Sequence, residues 1–245
     1  MRRSIMLIVG LAFGVTSPLS ASETENLEIA LSLAKMLQSA RTVVARNQSL
    51  INDPNVGDKG LSSDVVVARA IEIYREATGT DPRNIDPASR HGRLLEAQTD
   101  AIAEVIDENQ ETKNMPGVGF KGFVPAVFAR LVNERFSKSM RNESSVKVTA
   151  PVSLVRNRKA LPDEWESASI ENRLMTPEWP KGEVLWENSN QSDRQVFRVL
   201  VPEYYGEGRL TCHGEPKGEI DLTGYPKEGG KLGELGGVIS ITLFE

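Results

Sequence analysis

Cysteine and histidine are scarce in this chain of 245 residues. It has one cysteine, Cys212, and two histidines, His91 and His213. One cysteine excludes a fold held by disulfides within the chain, and three such residues are too few for a zinc site without carboxylate ligands. A hydrolytic cysteine-histidine pair would have to use His91 as its base. Because no acid-base pair or activated nucleophile is evident, we expect that the protein is not an enzyme.

Basic residues are also fewer than acidic residues. The chain has 29 Lys and Arg against 34 Asp and Glu, a formal net charge of -5. Affinity for nucleic acids comes largely from positive groups that neutralise phosphates. We therefore expect no nucleic-acid partner. The hydrophobic share of 39% and the charged share of 26% are typical of a globular protein.

The longest apolar run is confined to the N-terminus. Two arginines at positions 2 and 3 precede an apolar stretch over residues 5–15, and small residues follow at 20–22. This pattern predicts a secretory signal peptide over residues 1–22, cleaved near Ala21 or Ser22. An uncleaved membrane anchor is the alternative, although the run is shorter than the roughly 20 residues of a spanning helix. We expect a periplasmic protein with no stable membrane span after cleavage.

Residues 23–245 divide into a helical half, 23–142, and a strand half, 143–245. Apolar residues at helical spacing predict four helices, over residues 26–51, 64–77, 92–110 and 125–138. Alternating or β-branched stretches predict strands over 146–149, 182–186, 195–201 and 238–243, with a helix over 163–174. This order predicts an α+β fold whose helices cover one face of an antiparallel sheet. We expect one domain; two small domains that meet near Asn142 are the alternative.

The most informative motif is the pair Cys212-His213. In the attachment motif for c-type haem, Cys-x-x-Cys-His, two thiols form thioethers and the adjacent histidine binds iron. Cys212 and His213 match the second half of this motif, whereas Arg209 stands where the first cysteine belongs. The alternative interpretation is a buried structural cysteine beside a surface histidine.

Further blocks occur in a characteristic order around this motif. They are Phe120-Lys121-Gly122-Phe123-Val124-Pro125-Ala126, Arg156-Asn157, Leu161-Pro162-Asp163-Glu164-Trp165-Glu166, Phe197-Arg198-Val199 with Pro202, Cys212-His213-Gly214-Glu215-Pro216, Gly224-Tyr225-Pro226 and residues 231–240. In these blocks the chain resembles a family of exported bacterial domains with a PAS-like fold that bind haem c. Members occur as small soluble proteins and as the extracytoplasmic part of sensor kinases.

The resemblance implies helices packed on a PAS-like antiparallel sheet and a haem held at the Cys212-His213 loop. Cys212 would form the remaining thioether, and His213 would be the proximal iron ligand. Because Arg209 replaces the first cysteine, three outcomes stay open: one thioether, a non-covalent haem, or a lost haem site.

Other residues are assigned through the same resemblance. Arg156 and Arg198 would bind haem propionates, since a guanidinium matches a carboxylate, or they form ordinary salt bridges. Tyr225 would line the pocket. The sixth iron ligand would be His91, as a weak distal candidate, or one of three methionines, Met36, Met115 and Met140; otherwise the position is open.

Two functions follow from these interpretations. The first is a periplasmic haem-binding sensor or redox protein that acts on a signalling or electron-transfer partner. The second is a haem-free PAS-like module for ligand binding or protein interaction, in which the haem motif has degenerated.

Overall fold

The computed structural model describes residues 19–191 and 193–245, and within them most helices precede the strands. Of the predicted signal peptide, residues 1–22, the structure describes residues 19–22, and the predicted cleavage point at Ala21 or Ser22 lies at the start of the first helix. The helices are α1 (Ala21–Arg46), α2 (Gln48–Ile51), α3 (Ser63–Thr78), α4 (Arg90–Glu108), α5 (Gln110–Asn114), α6 (Pro125–Ser139), α7 (Glu164–Ser169) and α8 (Glu207–His213). The strands are β1 (Ser144–Thr149), β2 (Leu185–Gln191), β3 (Arg194–Tyr204) and β4 (Leu235–Phe244).

Local signals account for the ends of the long helices. The Ser20 hydroxyl and the Glu23 carboxylate form a capping box at the start of α1. Ser62 caps α3, and Gly79 ends it with a φ of 73°, a conformation that favours glycine. The helix predicted over 26–51 is interrupted at Asn47, whose side-chain amide donates to the carbonyl of Val43 and separates α1 from α2.

The four long helices form one layer. α1 packs against α3, α4 and α6, and α6 also packs against β1. Buried apolar residues of α1, α3, α4 and α6 share a hydrophobic cluster with Val146, Phe197, Val199, Ile239 and Ile241 of the sheet. In residues 19–191 and 193–245, no helix has both the length and the apolar character to cross a membrane.

The sheet is antiparallel, with the strand order β1-β4-β3-β2. The helical layer covers one face, so the predicted α+β fold is confirmed. The second face is covered as well, because Leu200, Leu185 and Val238 pack there against Ile170 and Leu174. These last two residues belong to a wide helical turn, Ile170–Leu174, that follows α7.

The direction of α1 relative to the sheet defines two ends of the molecule. Near its start, the Asn26 amide donates to the Glu245 carboxylate at 3.1 Å. Near its end, Arg41 donates to the Glu203 carboxylate at 2.8 Å. α1 therefore runs parallel to β3. We refer to these ends as the Glu245 end and the Glu203 end.

Candidate functional site

The Cys-His motif lies in the connection between β3 and β4. Antiparallel neighbouring strands are commonly joined by two to five residues, but here residues 205–234 intervene. Long connections in compact domains usually have a functional role. Because Tyr204 pairs with Leu235, the whole connection projects from the Glu203 end of the sheet.

The motif itself forms a short helix, α8, and not the expected loop. Its first turn contains Gly208, and no side chain caps its N-terminus at Gly206, so it lacks the usual helix signals. Arg209, Cys212 and His213 are spaced by three and four residues. They are therefore neighbours on the surface of one helix.

The imidazole of His213 is held in one orientation. Nδ1 lies 2.8 Å from Glu228 Oε2, and the ring stacks on Tyr205 with centroids 5.5 Å apart and planes at 25°. The carbonyl of His213 accepts a hydrogen bond of 2.7 Å from the backbone N–H of Gly230. Within the described residues, Nδ1 is the ring nitrogen that forms a hydrogen bond, and Nε2 forms none. A carboxylate on one ring nitrogen is the arrangement that orients histidine metal ligands.

Arg156 organises the carboxylates around α8. It donates from Nε to Glu228 Oε1 at 2.6 Å and from Nη2 to Oε2 at 3.0 Å, a bidentate pair. Nη1 donates to Asp221 at 2.6 Å, and Nη2 also donates to the carbonyl of Cys212 at 2.8 Å. Arg156 thus joins the end of α8 to the carboxylate that orients His213.

These contacts set the charge states of the cluster. Burial by itself raises the pKa of Glu228, but the hydrogen bonds from Arg156 and His213 hold that pKa below its usual value. The pKa of Asp221 is also lowered, because hydrogen bonds from Thr223 and Arg156 outweigh its desolvation. Both carboxylates are therefore ionised at neutral pH.

Arg209 is paired with a buried carboxylate. Its Nη2 lies 3.0 Å from Glu203 Oε2, while Arg41 Nη1 lies 2.8 Å from both oxygens of Glu203. Burial raises the pKa of Glu203, but the two arginines outweigh it and lower the pKa to about 2. At the position of the haem motif's first cysteine, this chain thus has an arginine that forms a salt bridge with Glu203 of β3, which is also paired with Arg41 of α1.

Cys212 is a free, half-buried thiol. Its Sγ lies 3.8 Å from the hydroxyl of Thr211, which is exposed. The thiol is therefore neither enclosed in the core nor bonded to another cysteine.

A cavity of about 500 Å³ opens beside this cluster. Its lining comprises Ser153, Leu154, Val155, Arg156, Lys217, Gly218, Tyr225, Pro226, Lys227 and Glu228. Cys212 and His213 are not part of this lining. Glu228 both lines the cavity and contacts His213, so one side chain connects the cavity with the imidazole.

Four of the six predicted site residues are brought together. Cys212, His213 and Arg156 are connected by the hydrogen bonds described above, and the Arg156 guanidinium lies 5.4 Å from the centroid of the Tyr225 ring. Tyr225 also lines the cavity, whereas Cys212 and His213 do not.

The structure does not bring Arg198 to the motif. Arg198 pairs with Thr242 in the sheet, whereas the connection leaves at Tyr204, about 20 Å further along β3 at the usual rise per residue. Arg198 donates to Asp163 at 2.6 Å and lies over the ring of Trp165 at 4.1 Å. It therefore stabilises the start of α7 on the second face of the sheet.

His91 is likewise remote from His213. It lies in the first turn of α4, where its neighbour Arg90 donates to the carbonyl of Phe244 at the Glu245 end. His91 lies near the C-terminal end of β4 and His213 near its N-terminal end. The length of this strand, about 30 Å, therefore separates the two histidines. Burial lowers the pKa of His91, and its buried Nε2 has no partner within the described residues.

The three methionines differ in their positions. Met36 is buried inside the helical layer. Met140 accepts a hydrogen bond from Ser144 at the start of β1, near the Glu245 end. Met115 is 41% exposed, and Gly117 just beyond it bonds to Pro54 past the last turn of α1. Met115 thus lies towards the same end as His213.

Tyr205 and Glu228 belong to the site but were not identified from the sequence. Glu228 lies in a charged turn where no periodicity marks it. One feature of the sequence could have identified Tyr205. It directly follows β3, whose end pairs with the start of β4, and Gly236 there has no side chain, so an aromatic ring fits beside it. Across residues 19–191 and 193–245, three or more His, Cys, Asp or Glu side chains do not converge on a metal site.

Comparison with known proteins identifies one matching family. The profile of the Tll0287-like family matches residues 20–243, which is nearly the whole chain. No curated protein and no solved structure matches the chain.

Proposed function

The chain belongs to the Tll0287-like family, and from this premise we propose that it is an exported haem-binding protein. In this proposal His213 would bind the haem iron, Cys212 would be a single covalent anchor, and the protein would act as a periplasmic sensor or redox protein without enzymatic activity. The supporting observation is the orientation of His213: its Nδ1 is bound to Glu228 while its Nε2 makes no hydrogen bond.

The ligands available around His213 favour a prosthetic group over a bare metal ion. Within the described residues, His213 has no set of further His, Cys, Asp or Glu side chains that would complete a metal site. A metal held by its Nε2 would need its other ligands from elsewhere, and a porphyrin supplies them. When bound, a haem supplies an iron whose oxidation state and ligation respond to an electron partner or to a small molecule.

Cys212 fits the role of a single anchor. It neighbours His213 on α8, is half-buried, and has no disulfide partner. The Cys212 thiol would add across one vinyl group: sulfur bonds to one carbon, the thiol hydrogen goes to the other, and no oxidant is required. Arg209 lacks a thiol and is paired with Glu203, so a second thioether is not proposed.

The two arginines considered as propionate partners, Arg156 and Arg198, are both paired with carboxylates of the protein. Arg156 is engaged with Glu228 and Asp221, so we assign it to the support of His213 instead of to a propionate. Arg198, which is paired with Asp163, is not assigned to the haem. The sixth ligand is proposed to be Met115, or the position is open.

The visible spectrum of the exported protein tests this function. The chain is produced with a signal peptide in a bacterium that has haem-attachment machinery, and the spectrum of the purified protein is recorded. We expect a Soret band that His213→Ala abolishes. The matched control is His91→Ala, which removes the distant histidine and retains the band. A folded, colourless wild-type protein would contradict the proposal.

A second candidate function is a haem-free module that binds a small organic ligand or a partner. It is favoured by the cavity of about 500 Å³, which falls in the usual size range of small-molecule sites. The same experiment separates the two functions, because this candidate predicts a colourless wild-type protein.

A further inference from the structure

We infer that Arg209 is the positioning residue that attaches the first turn of α8 to the sheet. In doing so it would keep His213 within reach of Glu228 and Tyr205, the two residues that orient its imidazole. The attachment is a property of the haem-free chain; its importance for haem rests on the proposed function. Arg209 would thus replace, by an ionic contact, the constraint that a cysteine at this position gives through a covalent bond.

The attachments of α8 are polar and unevenly distributed. None of its residues is fully buried, so packing alone does not hold it. At its C-terminal end, Cys212 and His213 accept hydrogen bonds through their carbonyls from Arg156 and Gly230. At its N-terminal end, no side chain caps Gly206. Tyr205, just before α8, is held by backbone hydrogen bonds to Glu234 and from Gly233. In the described structure, the side-chain contact that joins the first turn itself to the sheet is the Arg209–Glu203 pair.

The partner of Arg209 is firmly fixed. Only 5% of the Glu203 side chain is exposed, and Arg41 binds both of its oxygens. If Arg209 is removed, Glu203 therefore keeps the contact of Arg41 Nη1 with both of its oxygens, and the buried carboxylate is not left unpaired. The effect of such a change should be confined to α8 and should spare the core.

Arg209 and His213 are coupled by helix geometry. They lie one turn apart on the same side of α8. A first turn that is released from Glu203 will fray, and the contacts of His213 with Glu228 and Tyr205 must then hold the imidazole alone. Because the attachment is ionic and Arg209 is one-third exposed, salt should weaken it.

Hydrogen exchange of the haem-free mature chain tests the inference. Exchange is followed by mass spectrometry on peptides that cover residues 206–214, with peptides of α1 as the internal reference. Arg209→Ala should accelerate exchange in residues 206–214 by about tenfold or more, as expected for loss of a charged hydrogen bond, and leave α1 unchanged. Arg209→Lys should restore most of the protection, since Arg209 uses a single nitrogen for this contact.

The control is Arg130→Ala. Arg130 has the same 34% side-chain exposure as Arg209, but its partner Glu134 is 42% exposed. The Arg130→Ala variant should leave exchange in residues 206–214 at the wild-type rate. Unchanged exchange in Arg209→Ala, no rescue by Arg209→Lys, or an equal loss of protection in α1 would overturn the inference. Because no haem is present, these outcomes are independent of whether the proposed function is correct.

Discussion

The ring of Tyr205 lies against the imidazole of His213, with centroids 5.5 Å apart and planes at 25°. Tyr205 is buried, which raises the pKa of its hydroxyl. Its ring is enclosed by the backbone at Gly230 and Gly236, where an added Cβ would lie 2.5 Å from ring carbons. The direction of His213 therefore depends on a tyrosine that two glycines hold in place.

Gly236→Ala should displace Tyr205. The new methyl group cannot be accommodated without movement of the ring or strand, and such overpacking costs about 1–3 kcal/mol. We expect this loss in the free energy of unfolding, measured with denaturant, and a weaker Soret band. The control is Gly208→Ala in α8, where nothing outside the helix's own backbone lies within 4 Å of the added Cβ. Because alanine favours helix, this change should not lower the free energy of unfolding. Equal stability of Gly236→Ala and wild type would contradict this account of Tyr205.

The layered fold was largely predictable, because its elements depend on local patterns. The helix predicted over 64–77 occurs as α3 (Ser63–Thr78), and the helices and strands of the two halves occur in the expected order. The bounds of β2 were wrong: the strand begins at Leu185 and continues to Gln191 through mostly polar residues. Its pairing with β3 depends on backbone hydrogen bonds, which no side-chain pattern reports.

The site was only partly predictable. Cys212 and His213 were found because they are adjacent in the sequence. Glu228 was not, because its contact with His213 depends on the path of the connection over residues 205–234. Arg198 was grouped with the site from a sequence block, yet its side chain lies on the second face of the sheet with Asp163.

Glu228→Gln should weaken haem binding through His213. Glutamine cannot keep a charged contact with both Arg156 and His213, so the imidazole loses its fixed orientation. Removal of such supporting groups typically lowers metal affinity by about 10–100-fold. The measurement is a haem titration of the purified apoprotein. Glu219→Gln, which removes the exposed partner of Lys227, serves as the control and should bind as the wild type does.

Acid should destabilise the protein through Glu203. The folded-state pKa is about 2, below the ordinary value of 4.5. The stabilisation is therefore fully present above pH 4.5 and is lost as the pH falls towards 2. At 1.36 kcal/mol per pKa unit, the loss is roughly 3 kcal/mol.

The measurement for Glu203 is the free energy of unfolding across this pH range. Glu203→Gln is less stable at neutral pH because Arg41 and Arg209 lose their partner, but its stability should decline less steeply between pH 4.5 and 2. Parallel pH profiles for the variant and the wild type would show that Glu203 does not titrate as described.

The intact mass of the denatured, exported chain tests the central claim most directly. Addition of the Cys212 thiol to one vinyl group loses no atoms, so the wild-type chain should be heavier by one complete haem. The Cys212→Ala chain should have its unmodified mass. A wild-type chain of unmodified mass, or a Cys212→Ala chain that still carries the haem after denaturation, would contradict a single anchor at Cys212.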